Sequence, residues 1–174
     1  GRDLLELAGV NFDVIVSDAE EVITKSIPGE VVEELSRCKA MAVAAKEETR
    51  GRIVLGADTI VVQDGEILGK PADEEDAKRM IRKLQGNTHE VYTGVTLVKD
   101  GKVRSFHEKS EVRVCPMTEE EITAYVATKE PMDKAGSYAI QGKFAVYIRG
   151  ITGDYYNIMG LPVSRVWHEL QKGI

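Results

Sequence analysis

Cysteine, histidine and tryptophan are scarce in this chain of 174 residues, at two, three and one copies. Cys38 and Cys115 lie far apart and form no Cys-x-x-Cys pair. They read as free thiols of a reducing compartment, which argues against a disulfide framework or a redox motif. His89, His107 and His168 lack zinc-ligand spacing, which argues against a structural zinc. Trp167 falls in a C-terminal amphipathic pattern and is expected in the core. No apolar run approaches the roughly 20 residues of a membrane span. No signal peptide is visible, although the chain does not start with Met and the true N-terminus stays open. Positive charge is not in excess: 23 Lys and Arg face 29 Asp and Glu, a net charge of -6. That balance argues against a nucleic-acid polymer as partner, because tracking phosphates needs a basic surface. A local lysine cluster can still oppose the global sign for a small anionic ligand. The missing Gly-x-Gly-x-x-Gly fingerprint, together with a long hairpin, argues against a Rossmann dinucleotide site. There are no internal repeats, low-complexity tracts or clear linker.

What is present is an ordinary globular composition, 43% hydrophobic and 30% charged. The length suits one domain with a sizeable core, or one domain with a small lobe. Asp3 to Ala8 reads as a helix stopped by Gly9, and Phe12, Val14 and Val16 alternate as a strand. Val31, Leu35, Cys38, Ala42 and Ala45 recur at helical spacing, giving a helix from Glu30 to Lys46. Two strands surround Asp58, joined onward through an Asp64-Gly65 turn, and Asp73 caps a helix that Gly86 ends near Leu84. Glu90 to Val98 and Val103 to Val114 form a hairpin about Asp100-Gly101. Thr118 and Glu121 make a capping box for a helix to about Thr128. A strand from Phe144 to Ile148 and a helix from about Val163 to Leu170 close the chain. The alternation predicts an α/β fold: a mixed, strongly twisted sheet flanked by helices, in two lobes with a central cleft.

Two segments carry chemistry beyond folding. Asp133 to Gly142 sets a charged pair, two glycines and the amide of Gln141 in a stretch that cannot be a regular helix, with Tyr138 and Ile140 alternating like a short strand. A turn alone would not need Lys134 and Gln141. In Ile53 to Val62, two β-branched runs flank Gly56-Ala57-Asp58-Thr59. An acid there is costly unless paired, protonated or metal-bound, so Asp58 is the leading functional carboxylate; the alternative is a turn aspartate between hairpin strands. Lys39 lies in register with Val32, Leu35 and Ala42, where an apolar residue is expected. It either snorkels or turns from its helix toward a bound anion. Gly69-Lys70-Pro71 is a tight turn whose shape leaves Lys70 unexplained.

Gly56-Ala57-Asp58-Thr59, Gly69-Lys70-Pro71, Val91-Tyr92-Thr93-Gly94-Val95, Asp133 to Gly142 and Asn157-Ile158-Met159-Gly160-Leu161-Pro162 together resemble the Maf family of nucleoside triphosphate pyrophosphatases. The resemblance runs over essentially the whole chain and in the right order. It implies an inosine triphosphate pyrophosphatase-like fold and a single Maf-like domain over residues 1–174. It also implies hydrolysis of a nucleoside triphosphate to monophosphate and pyrophosphate, with a divalent cation, Mg2+ or Mn2+. Asp58 is then the proton acceptor, and Glu21, in Asp18-Ala19-Glu20-Glu21, joins Asp58 near the metal, unless Glu20 and Glu21 are simply solvated acids. Lys39, Lys70 and Lys134 match basic positions that meet phosphate. Gln141 suits the edge of a pyrimidine, and Thr59 adds one polar contact.

The forms Ala57-Asp58-Thr59 and Ile140-Gln141-Gly142 resemble the branch acting on dTTP and UTP, a house-cleaning activity on nucleotide pools. The alternatives are the 7-methyl-GTP branch, which usually carries Gln after the catalytic Asp, and a non-catalytic regulator of septum formation. The family further implies a cytoplasmic homodimer. One departure stands out: the family's opening apolar strand and Ser-x-Ser-Pro-Arg-Arg phosphate loop are missing ahead of Gly1-Arg2-Asp3. By register Gly1 stands where the second Arg would be, and Arg2 falls on a variable position. Omission of that segment is the expectation favoured over its true absence.

Overall fold

Two short turns fix much of the sheet. Asp64 and Gly65 (φ 47° and 77°), and Asp100 and Gly101 (φ 49° and 81°), adopt left-handed conformations. Such pairs match the twist of the strands they join. In the computed structural model, which describes residues 2–174, the first turn pairs β1 (Val54–Gln63) with β2 (Glu66–Leu68) in antiparallel register, Val61 opposite Leu68. The second joins β3 (Thr88–Lys99) to β4 (Lys102–Val114). β4 pairs antiparallel with β5 (Ile148–Thr152), with an irregularity between Arg113 and Val114. The strand order is β2-β1-β3-β4-β5. Among the described residues six α-helices accompany the sheet: α1 (Arg2–Leu7), α2 (Pro28–Ala44), α3 (Glu74–Leu84), α4 (Glu119–Ala127), α5 (Tyr155–Met159) and α6 (Val163–Lys172). The α/β architecture with helices flanking the sheet is as the sequence predicts.

The chain divides into two compact units. The first comprises residues 2–59, Thr93–Glu108 and Tyr156–Ile174. Its core lies on both faces of the sheet. Leu4, Val95, Leu97, Phe106, Leu161 and Val166 form one cluster, and Ala40, Val54 and Val98 the other. The second unit comprises Ile60–Tyr92 and Lys109–Tyr155. Here α3 is capped by the Asp73 carboxylate accepting from Asp76 N–H, and α4 opens on the Thr118–Glu121 capping box. Both caps satisfy backbone donors that a helix start leaves orphaned. The two helices bury Met80, Ile81, Leu84, Ile122 and Val126. The Tyr138 and Phe144 rings pack beside them, 4.9 Å apart.

Four local expectations are corrected. Residues 12–16 form no strand. Val14 and Val16 are 62% and 79% exposed, and no strand among the described residues pairs with them; alternation without a hydrogen-bonding neighbour does not hold an extended chain. Lys143–Tyr147 is a 3-10 helix, not a strand, and β5 starts only at Ile148. The apolar run around Asp58 is one continuous strand, which removes the turn-aspartate alternative. Trp167 is exposed, because α6 turns Val166 and Glu169 inward instead. Gly1, the register position of the family's second arginine, lies outside the described residues.

Candidate active site

In the first unit the site begins with the packing of α2. Pro28 starts the helix and Val31, Val32, Leu35 and Ala40 bury one side of it. Gly56 on β1 and Gly94 on β3 meet its backbone. A Cβ on Gly56 would lie 2.6 Å from the Ser36 carbonyl oxygen, and one on Gly94 2.2 Å from that of Val32. Only glycine permits so close an approach. The Ser36 hydroxyl, in hydrogen bond with Thr96 at 2.8 Å, fixes the same interface.

That approach delivers Lys39 to Asp58. Two residues beyond Gly56, Asp58 projects from the same face of the strand, and its Oδ1 lies 3.2 Å from Lys39 Nζ. The lysine is therefore not merely snorkelling. The same ammonium reaches Glu21 Oε1 at 3.7 Å, so two carboxylates share one cation. The Asp58 side chain is only 18% exposed. Burial pushes its carboxyl above the usual range; the Lys39 ammonium opposes that push, the Glu21 charge adds to it, and the Thr59 N–H opposes it. The Thr59 N–H donates to Asp58 Oδ1 at 3.0 Å.

Thr59 itself points to the opposite face, as adjacent strand residues must. There the Thr93 hydroxyl donates to the Asn157 carbonyl at 2.8 Å. The Thr93 oxygen is thus left to accept from Thr59, also at 2.8 Å. This relay ties β1 and β3 to α5. Thr93 and Asn157 stand inside motifs that carry the family resemblance, yet nothing in their spacing marks them for a role.

In the second unit, the Gly136 N–H donates to the Gly69 carbonyl at 3.1 Å. That bond ties together the loops bearing Lys70 and Lys134. Lys70 is exposed, and Lys134 Nζ lies 3.3 Å from Asp133 Oδ1. A cavity of about 580 Å³ is lined by Lys134, Gln141, Glu130, Asp133, Met132 and Gly142, among others. Behind the loop, the Tyr138 hydroxyl meets His89 Nε2 at 2.7 Å, both residues being buried. Burial lowers the His89 imidazole from 6.5 to about 4 and raises the Tyr138 phenol. A lone buried histidine gave no sign of this partnership in the sequence.

The metal question rests on the donor set. Among the described residues no three His, Cys, Asp or Glu side chains converge. Glu21 and Asp58 still fit a hard divalent cation, which commonly takes one or two carboxylates and completes its shell with phosphate and water oxygens. A second positive charge would also oppose the burial that chiefly raises Asp58, and the smaller push from the Glu21 charge.

Known proteins resemble this chain over nearly its whole length. A family model described as Maf-like protein matches residues 2–173. A dTTP/UTP pyrophosphatase of Bacillus cereus is 53% identical over 172 residues, covering 98% of this chain and 89% of the relative. Proteins of the same name from Bacillus thuringiensis subsp. konkukian and Bacillus cytotoxicus are each 53% identical, with the same coverage.

Proposed function

The chain belongs to the Maf family, and on that premise we propose that it hydrolyses dTTP and UTP to the nucleoside monophosphate and pyrophosphate. The observation that carries this reading is the half-buried Asp58 carboxyl, raised by burial and held beside Lys39. A carboxylate tuned upward is a better proton acceptor near neutral pH than a solvated one. Water attacks the α-phosphorus and its proton passes to Asp58. The bond from that phosphorus to the oxygen bridging to the β-phosphorus breaks, and pyrophosphate leaves. Lys39, Lys70 and Lys134 act as point charges on the triphosphate, opposing the chain's net charge of -6. Thr59 steadies Asp58 through its N–H.

A divalent cation, Mg2+ or Mn2+, held by Glu21 and Asp58, would neutralise phosphate charge when bound. Gln141 reads the pyrimidine, its NH2 donating to the O4 carbonyl and its oxygen accepting from N3–H. The reading includes a homodimer working in the cytoplasm, as the family resemblance implies; no described helix is long and apolar enough to cross a membrane. The test is incubation with UTP and Mg2+, with pyrophosphate and orthophosphate measured separately. Pyrophosphate as the first product, abolished by excess EDTA, is the expected result. Orthophosphate first would overturn the cleavage position, and full activity in EDTA would remove the cation.

A further inference from the structure

The turn that presents Gln141 is clamped from one side. Its backbone closes with the Gly142 N–H donating to the Ala139 carbonyl at 3.1 Å, and Ala145 N–H to the Gly142 carbonyl at 3.0 Å. The next donor, Lys143 N–H, is gripped by both oxygens of the Glu130 carboxylate, at 3.1 and 3.0 Å. Glu130 occupies space that any other residue at 142 would need. A Cβ on Gly142 would fall 1.4 Å from Glu130 Oε1. Gly142 has φ -100° and so avoids the left-handed region; its missing Cβ leaves room for the Glu130 carboxylate. Glu130, Gly142, Lys134 and Gln141 line the same cavity.

We propose that Glu130 is a positioning residue for base selection, holding the Ala139–Gly142 turn so that the Gln141 amide meets the base in one orientation. This rests on Gln141 reading the pyrimidine, as above. The chemistry explains why a clamp matters. Uracil shows a carbonyl and an N3–H, whereas cytosine shows an amine and a bare N3. An amide that swings freely can turn over and satisfy either base. Preference therefore depends on how firmly the turn carrying the amide is held.

The experiment compares kcat/KM for UTP and CTP in the wild type, Glu130→Ala, Glu130→Gln, Gln141→Ala and the Glu130→Ala/Gln141→Ala double variant, with thermal melts of each. Glu130→Ala should lower the UTP-over-CTP ratio roughly tenfold, one hydrogen bond's worth of discrimination. Glu130→Gln keeps an oxygen for the Lys143 N–H and should hold the ratio within about threefold. The double variant should show no lower ratio than Gln141→Ala alone, because Glu130 acts through Gln141. If Glu130→Ala fails to fold, Gly142→Ala expels the carboxylate and should show the same loss of preference. A purely structural clamp would slow both substrates equally and leave the ratio intact, which overturns the proposal alone provided Gln141→Ala collapses it. A ratio untouched by Gln141→Ala would overturn the base-reading role itself, and this inference with it.

Discussion

Acid should unfold this protein partly through one side chain, His89. Its imidazole is 1% exposed and bonds the Tyr138 hydroxyl, while Nδ1 has no partner. Charging it would place an uncompensated cation in the core, so its folded value falls from 6.5 to about 4. Between those values the unfolded chain binds the proton and the folded chain does not, so stability falls as pH falls. At pH 5 the loss from this residue is about 2 kcal/mol, and it approaches roughly 3 kcal/mol at pH 4. For a protein of this size, about 2 kcal/mol lowers Tm by roughly 4–8 °C.

The perturbation that isolates the effect is His89→Gln, which keeps a polar atom for Tyr138 and removes the titration. Tm is measured for both proteins from pH 7.5 to 5.0. Carboxylates and the other histidines titrate in both, so the difference between the two curves belongs to His89. The gap between wild type and variant should shift by several degrees in the variant's favour as pH falls. Parallel curves would refute the reasoning, as would an NMR titration placing the His89 ring near its ordinary value. Tyr138 stands three residues before Gln141, so loss of affinity for UTP should accompany the acid transition.

Asp58→Asn should cut turnover by roughly 10²–10⁴-fold, the range for a lost general base. The raised carboxyl favours the folded state below its unfolded value and loses that benefit as pH rises through the folded one, so at pH 7 its charge is a cost. Thermal melts of Asp58→Asn should accordingly show an unchanged or slightly higher Tm, and retained turnover would remove Asp58 from the mechanism. Lys39→Ala and Lys70→Ala should weaken UTP, CTP and GTP alike in competition assays; a change confined to one base would contradict their phosphate role. Gly56→Ala should lower stability by about 1–3 kcal/mol through overpacking against α2, and activity with it, as urea unfolding and UTP turnover would show. An unaltered Tm would mean that the close approach at Gly56 does not hold Lys39 against Asp58.

Much of the fold was legible because its signals are local. The Asp73 cap, the Thr118–Glu121 box and the Asp64-Gly65 and Asp100-Gly101 turns each act within four residues, and all stand as the sequence predicts. The apolar spacing of α2 is equally self-contained, and so is the oddity of an acid at 58 between β-branched runs. Register-level resemblance added the family, which the comparisons bear out. Tertiary structure decided whatever needed a partner from far along the chain. Phe12, Val14 and Val16 alternate correctly but no described strand bonds to them. Phe144 opens a predicted strand, yet it is buried in a 3-10 turn behind a backbone N–H that Glu130 holds. Lys39 looked misplaced on an apolar stripe until Gly56 brought β1 against α2 and set Asp58 beside it. The composition of a segment specifies its turns and faces because those depend on neighbours a few bonds away. Which charge meets which depends on packing between elements, and here that was decided by the absence of a Cβ at Gly56 and Gly94.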